Sequence, residues 1–275
     1  MDLCFCIAAN DPRALDERAP DLATYHVSCL EITWKGFPHW DPRECARLRD
    51  GLANHGLRMR SIHMPFGPEL NIIDDDPGLR LHALEAHLHM LPATAALGVE
   101  IVVMHPGREF VSDRPLSELV DSCIDATRLV TDRASELGMR VALENVLPAH
   151  ALSAHEVIAE IVDRVDHPAL GICLDTGHAH VVDNVVRAID VFAHRIIHVH
   201  LHDNQGDTDK HLCPGLGNID WPPAIERLRE VGYSGPLTLE CRPPKGVAKD
   251  EIRKFVLDAL GERDRATDCS TCPGR

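Results

Sequence analysis

The chain has 275 residues, 44% hydrophobic and 26% charged, with a formal net charge of −15. That balance is ordinary for a soluble globular protein, and a chain of this length buries enough surface to need no stabilising staple. The acidic surplus argues against a general binder of nucleic acid or anionic membrane, because phosphate contacts need clustered Lys and Arg.

No apolar run reaches membrane-spanning length, and Met1–Pro12 shows no basic-then-apolar leader, so the expected location is the cytoplasm. The cysteines number ten. Cys4, Cys6, Cys29, Cys173 and Cys241 lie in apolar runs, where a free thiol behaves as a small core residue, and they are read as reduced. Cys269 and Cys272 have C-x-x-C spacing but lack the second pair or histidines that a zinc site needs.

Short apolar runs recur in chain order at Leu3–Ala8, Val27–Thr33, Leu57–His63, Glu100–His105, Arg140–Glu144, Leu170–Asp175, Ile196–His200 and Leu237–Glu240. They do not alternate with polar residues, as expected for parallel strands buried on both faces. Between them lie helical patterns. Glu44–His55 stops at Gly56, Pro77–Leu97 at Gly98, Leu116–Leu137 at Gly138, and Pro223–Val231 at Gly232. Ser153–Val165 opens on Ser153 as expected N-cap, with Glu156 at capping-box spacing.

Eight strands alternating with helices predict an α/β protein with one domain, a (β/α)8 barrel over 1–261, with 262–275 as a disordered tail. An open doubly wound sheet is the competitor, but no Gly-x-Gly-x-x-Gly run follows the first strand.

The strand ends carry the chemistry. His63, His105, Glu144, Asp175, His200 and Glu240 close strands three to eight, and in a barrel all of these ends face one mouth. Histidines and carboxylates without a thiolate suit Zn, Mn, Fe or Co. A single histidine there is usually a hydrogen-bonded bystander, and a buried carboxylate needs a partner. Six in succession point to a divalent metal site. His178, three residues after Asp175, and Asp209 and His211 in the next loop extend it. That trio reads either as a further metal or substrate site, or as a polar loop with satisfied side chains. His180 and His202 are read as pointing away from their neighbours.

The motifs His63-Met-Pro, Val103-Met-His-Pro-Gly107, Leu143-Glu-Asn145, Leu174-Asp-Thr-Gly-His178, His198-Val-His-Leu-His-Asp203, Asp209-Lys-His211 and Leu239-Glu240 resemble the xylose-isomerase-like TIM-barrel superfamily. That group joins sugar phosphate isomerases and epimerases with endonuclease IV-type enzymes. In its epimerase branch the resemblance implies one Mn- or Co-type ion held at Glu144, Asp175, His200 and Glu240. The two glutamates would be catalytic, moving a proton through an enediolate, and His178 would touch the substrate. In the endonuclease branch it implies three zinc ions, with His63, His105 and Glu144 on one and His178, Asp209 and His211 on the third.

The chain keeps His63 and His105, which the epimerase branch often lacks. Its 2 Tyr, 6 Phe and 3 Trp leave few residues to stack on or wedge into a duplex. The expectation is a metal-dependent isomerase or epimerase of a sugar, keto-sugar or polyol, carrying one to three Mn, Zn or Co ions. The alternative is a zinc-dependent phosphodiester hydrolase. A small carbohydrate-like substrate and a second copy of the chain are the expected partners; membrane and nucleic acid are not. Trp34, Phe37, Trp40 and Phe66 are expected either to wall the pocket or to pack as ordinary loop residues. Arg58, Arg60, Arg108 and Arg114 could mark a phosphate patch, two of them before the mouth.

Overall fold

The computed structural model describes residues 2–9, 12–34, 41–243 and 245–262. Strands β1 (Leu3–Ala9), β2 (Cys29–Trp34), β3 (Arg58–His63), β4 (Ile101–Met104), β5 (Arg140–Glu144), β6 (Leu170–Asp175), β7 (Ile196–Leu201) and β8 (Leu237–Leu239) pair in chain order. All pairings are parallel, and β8 returns to β1 to close the barrel. The interleaved helices are α1 (Pro12–Ala23), α2 (Pro42–Asn54), α3 (Pro77–Ala96), α4 (Leu116–Glu136), α5 (His155–Val165), α6 (Thr176–Val182), α7 (Val185–Phe192), α8 (Trp221–Glu230) and α9 (Lys249–Ala259).

The helices form where the sequence supplies an apolar stripe and a stop. In α4 the buried Leu119, Val120, Cys123, Ile124, Thr127, Val130, Thr131 and Ala134 recur at helical spacing and face the core. Asp76 caps α3 by accepting from the N–H groups of Gly78 and Leu79, and Pro77 occupies its first turn. Gly98 (φ +83°) and Gly138 (φ +78°) follow α3 and α4 in the left-handed conformation that glycine adopts freely.

The inside of the barrel follows the two-residue period of a strand. Val102 and Met104 belong to the main core, whereas Ile101, Val103, Ala142 and Cys173 form a separate small cluster. Two residues on from Val103, Ala142 and Cys173 stand His105, Glu144 and Asp175. On β4, β5 and β6 the inward face therefore carries apolar residues low in the barrel and a histidine or carboxylate at the mouth.

The barrel agrees with the sequence expectation, but some details differ. β4 ends at Met104 and β8 at Leu239, so His105 and Glu240 stand one residue past their strands. Ser153 is not an N-cap: α5 starts at His155 after Ala154, with no side-chain cap. A turn joining the Ser153 N–H to the His150 carbonyl (3.1 Å) holds Ser153 outside the helix, and Glu156 pairs with Arg187 instead (2.6 Å). The described cysteines are free. Cys269, Cys272 and the tail beyond Glu262 lie outside the described residues. Among the described residues no helix is long and apolar enough to cross a membrane.

Candidate metal centre

The mouth of the barrel opens into a cleft of about 370 Å³ lined by His63, Phe66, His105, Arg108, Glu144, His150, His178, Asp209, His211 and Glu240, among others. All six strand-end residues come together at or beneath it. One donor atom each from Glu144, Asp175, His200 and Glu240 lies within 4.8 Å of the others.

Glu144 sits at the centre and is 1% exposed. Its Oε2 is 3.0 Å from Nε2 of both His63 and His105, and its Oε1 is 2.7 Å from Nδ1 of His200. The same His200 nitrogen is 3.1 Å from Glu240 and 3.9 Å from Asp175. Burial works against an ionised Glu144, yet the imidazoles of His200 and His63 hold its carboxyl well below the usual range. Burial likewise opposes a charged His63, and the Glu144 carboxylate overcomes it, raising the imidazole to about 8.

Three of the histidines share one arrangement. A carbonyl can only accept, so Nδ1 of His63 donates to Met64 O (2.9 Å), of His178 to Asn145 O (2.9 Å), and of His211 to Glu240 O (2.6 Å). Each then turns Nε2 toward a carboxylate: His63 toward Glu144, His178 toward Asp209 at 3.6 Å, and His211 toward Asp209 at 3.0 Å. His200 is reversed, with Nε2 2.8 Å from Glu31 and Nδ1 facing the carboxylates. A lone pair facing a carboxylate is repulsive unless a proton or a cation stands between them. Anchoring one ring nitrogen to free the other is also how metal-bound histidines are held. Together with the buried Glu144 and Asp175 and the part-buried Glu240, this donor set fits a divalent cation of the Mn, Co or Zn type.

His178, Asp209 and His211 form a second group beside the first. Burial opposes charge on both histidines; Asp175 nevertheless lifts His178 to about 10, and Asp209 lifts His211 to about 9. His202 belongs with them, contrary to the expectation that it points away. It is 0% exposed, its Nε2 lies 2.9 Å from Asp175 Oδ1, and its ring stacks on His211 at 4.2 Å. The two-residue period explains this, since His198, His200 and His202 project to one side. His180 does lie apart, with Nε2 2.7 Å from Asn218. Lys210 is paired with Asp207 (2.8 Å) and does not line the cleft.

Glu31 belongs to the site without standing at a strand end. It is 0% exposed in mid-β2, held between Nε2 of His198 (2.8 Å) and Nε2 of His200 (2.8 Å). The available signal was a carboxylate inside an apolar run, costly to bury without a partner. β3 carries one extra residue at Arg60, which brings Glu31 level with Ser61, below His63. Phe66 does wall the pocket, stacked on His105 at 4.3 Å. Phe37, Trp40 and the Trp34 side chain lie outside the described residues.

A closed parallel barrel with histidines and carboxylates at its C-terminal mouth defines a class, and sequence comparison narrows it. Residues 21–259 match the model of the xylose isomerase-like TIM barrel family, and the chain belongs to that family. It is 28% identical over 260 residues to an uncharacterised protein of Methanocaldococcus jannaschii, covering 92% of this chain and 88% of that one. It is 26% identical over 229 residues to the ketose 3-epimerase of Arthrobacter globiformis, covering 80% and 77%. The crystal structure of a D-tagatose 3-epimerase-like protein superposes with a TM-score of 0.80 at 27% identity, covering 95% of this chain and 98% of that one.

Proposed function

We propose that this protein is a divalent-metal-dependent isomerase or epimerase of a sugar, keto-sugar or polyol. One observation carries the reading: Glu144 and Glu240 both reach Nδ1 of His200, at 2.7 and 3.1 Å, beneath a cleft of about 370 Å³. That volume is at the small end for ligand pockets and suits a monosaccharide. The similarity to a ketose 3-epimerase supports the same substrate class.

Glu144, Asp175, His200 and Glu240 would hold the ion. When bound it supplies positive charge that polarises a substrate carbonyl and stabilises an enediolate. Glu144 and Glu240 take a proton from the carbon beside the carbonyl and return one there, which is general base and acid work. His178 and His211 donate to substrate hydroxyls. Phe66 and Val146 shield the reacting carbon from water. The free thiols fit a reducing compartment, the cytoplasm.

Incubating the metal-loaded protein with ketohexoses in D2O tests this. Deuterium should enter beside the carbonyl, and Glu144→Gln should slow that exchange by roughly 10²- to 10⁴-fold. No exchange with any ketose, aldose or inosose would remove the reading.

A second reading is phosphodiester hydrolysis by a cluster of zinc ions. It is favoured by His63 and His105 on Glu144, and by the adjacent group of His178, Asp209 and His211. Cleavage of bis(p-nitrophenyl) phosphate, with three zinc ions per chain, would select it. The small cleft and the net charge of −15 favour the sugar.

A further inference from the structure

Four arginines cluster near strands three and four in the sequence, and the structure separates their roles. Arg58 and Arg60 both bind Glu100, each at 2.5 Å, at the end of the barrel away from the mouth. Arg114 secures a loop through the carbonyls of Ile73 and Asp74 (3.2 Å each) and Ser122 Oγ (2.7 Å). Arg108 alone lines the cleft.

Its surroundings are unusual for an arginine in an acidic chain. Glu109, Glu144, Asp209 and Glu240 line the same cleft, yet no carboxylate among the described residues lies within ion-pair distance of Arg108. Its Nε–H is buried without a hydrogen-bond acceptor. The loop is fixed beneath it, because the Arg108 N–H donates to Asn71 Oδ1 at 3.2 Å. The next loop supplies a second, loosely held donor. His150 Nδ1 accepts from the Leu152 N–H at 3.0 Å, which leaves the proton on Nε2. That buried N–H points at the Gly107 carbonyl without reaching good hydrogen-bond geometry.

A buried donor without an acceptor is costly, so Arg108 Nε, with the loosely held His150 Nε2 on the same cleft, implies a ligand that brings acceptors. A guanidinium fork matches the paired oxygens of a phosphate or carboxylate. We propose that Arg108 and His150 form an anion subsite and that the substrate is an acidic sugar, either a phosphate ester or a sugar acid. The sugar part of that statement rests on the isomerase reading; the subsite does not.

Two measurements on the metal-loaded protein separate the claims. The first titrates inorganic phosphate into wild type, Arg108→Gln and Arg108→Lys, reading affinity by calorimetry and folding by circular dichroism. Affinity should fall about tenfold or more in Arg108→Gln and recover in part in Arg108→Lys. The second compares kcat/KM for a neutral ketohexose, its 6-phosphate and the matching hexulosonate. The acidic compound should be preferred, and Arg108→Gln should erode that preference through KM. Whichever acid is preferred identifies the group. Folded Arg108→Gln that binds phosphate as wild type does and keeps the same substrate preference overturns the subsite. If no ketose, aldose or inosose is turned over while phosphate affinity still depends on Arg108, the isomerase reading fails and the subsite stands.

Discussion

Glu31 Oε1 lies 2.8 Å from Nε2 of His200, placing a buried carboxylate on one side of the ring while Nδ1 faces the carboxylates of the cleft. A carboxylate on that side favours the proton on Nε2, and the Nδ1 lone pair is then free for an ion. Glu31→Gln keeps the volume and removes the charge. Affinity for Mn or Co should fall roughly 10- to 100-fold, as for other partners of metal-bound histidines, while the circular dichroism spectrum stays unchanged. Calorimetric titration checks this, and wild-type affinity in the variant would reduce Glu31 to a packing role.

Asn145 clamps Asp175 through the backbone. Its Oδ1 accepts from the Asp175 N–H at 2.8 Å, and its Nδ2 donates to the Asp175 carbonyl at 3.0 Å. Asn145→Ala leaves both backbone groups buried without these partners. A loss of roughly 2–4 kcal/mol is expected in urea unfolding, together with weaker metal binding.

Gly177, in the first turn of α6 just after Asp175, lets that helix pass close to His202. A Cβ at that position would lie 1.8 Å from His202 Cε1 and 2.2 Å from its Nδ1. Gly177→Ala should therefore push the ring off Asp175 and destabilise the fold by about 1–3 kcal/mol. Thermal unfolding of the metal-free protein measures the loss without a contribution from the ion.

His87 predicts a pH effect away from the cleft's carboxylates. It is 4% exposed, and its Nε2 donates to the Pro65 carbonyl at 3.2 Å. Burial lowers it to about 4 from an ordinary value of 6.5. Between those values the unfolded chain takes up a proton that the folded chain refuses, so this contribution is present above pH 6.5 and lost toward pH 4. The shift corresponds to roughly 3 kcal/mol. Urea unfolding of wild type and His87→Gln at pH 7 and pH 4.5 should show the flatter pH dependence in the variant.

Part of this site is legible in the sequence and part is not. The strand ends were readable because a parallel barrel sends every C-terminal end to one mouth, so His63, Glu144 and Asp175 needed only their strand boundaries. Glu31 was not, because its role depends on a one-residue irregularity in β3 that local pattern does not reveal. His202 was misread although its two-residue spacing from His200 was visible. Ser153 had capping-box spacing, yet a turn from His150 removed it from the helix. Tertiary contacts overrode a local signal there.

The central claim is that Glu144, Asp175, His200 and Glu240 hold a divalent ion. Elemental analysis of protein purified without chelator tests it most directly, with wild type and Asp175→Ala side by side. The account predicts at least one Mn, Co or Zn per wild-type chain, falling to background in the folded variant. A folded wild type that carries no divalent ion, and takes up none when Mn, Co and Zn are supplied, contradicts it.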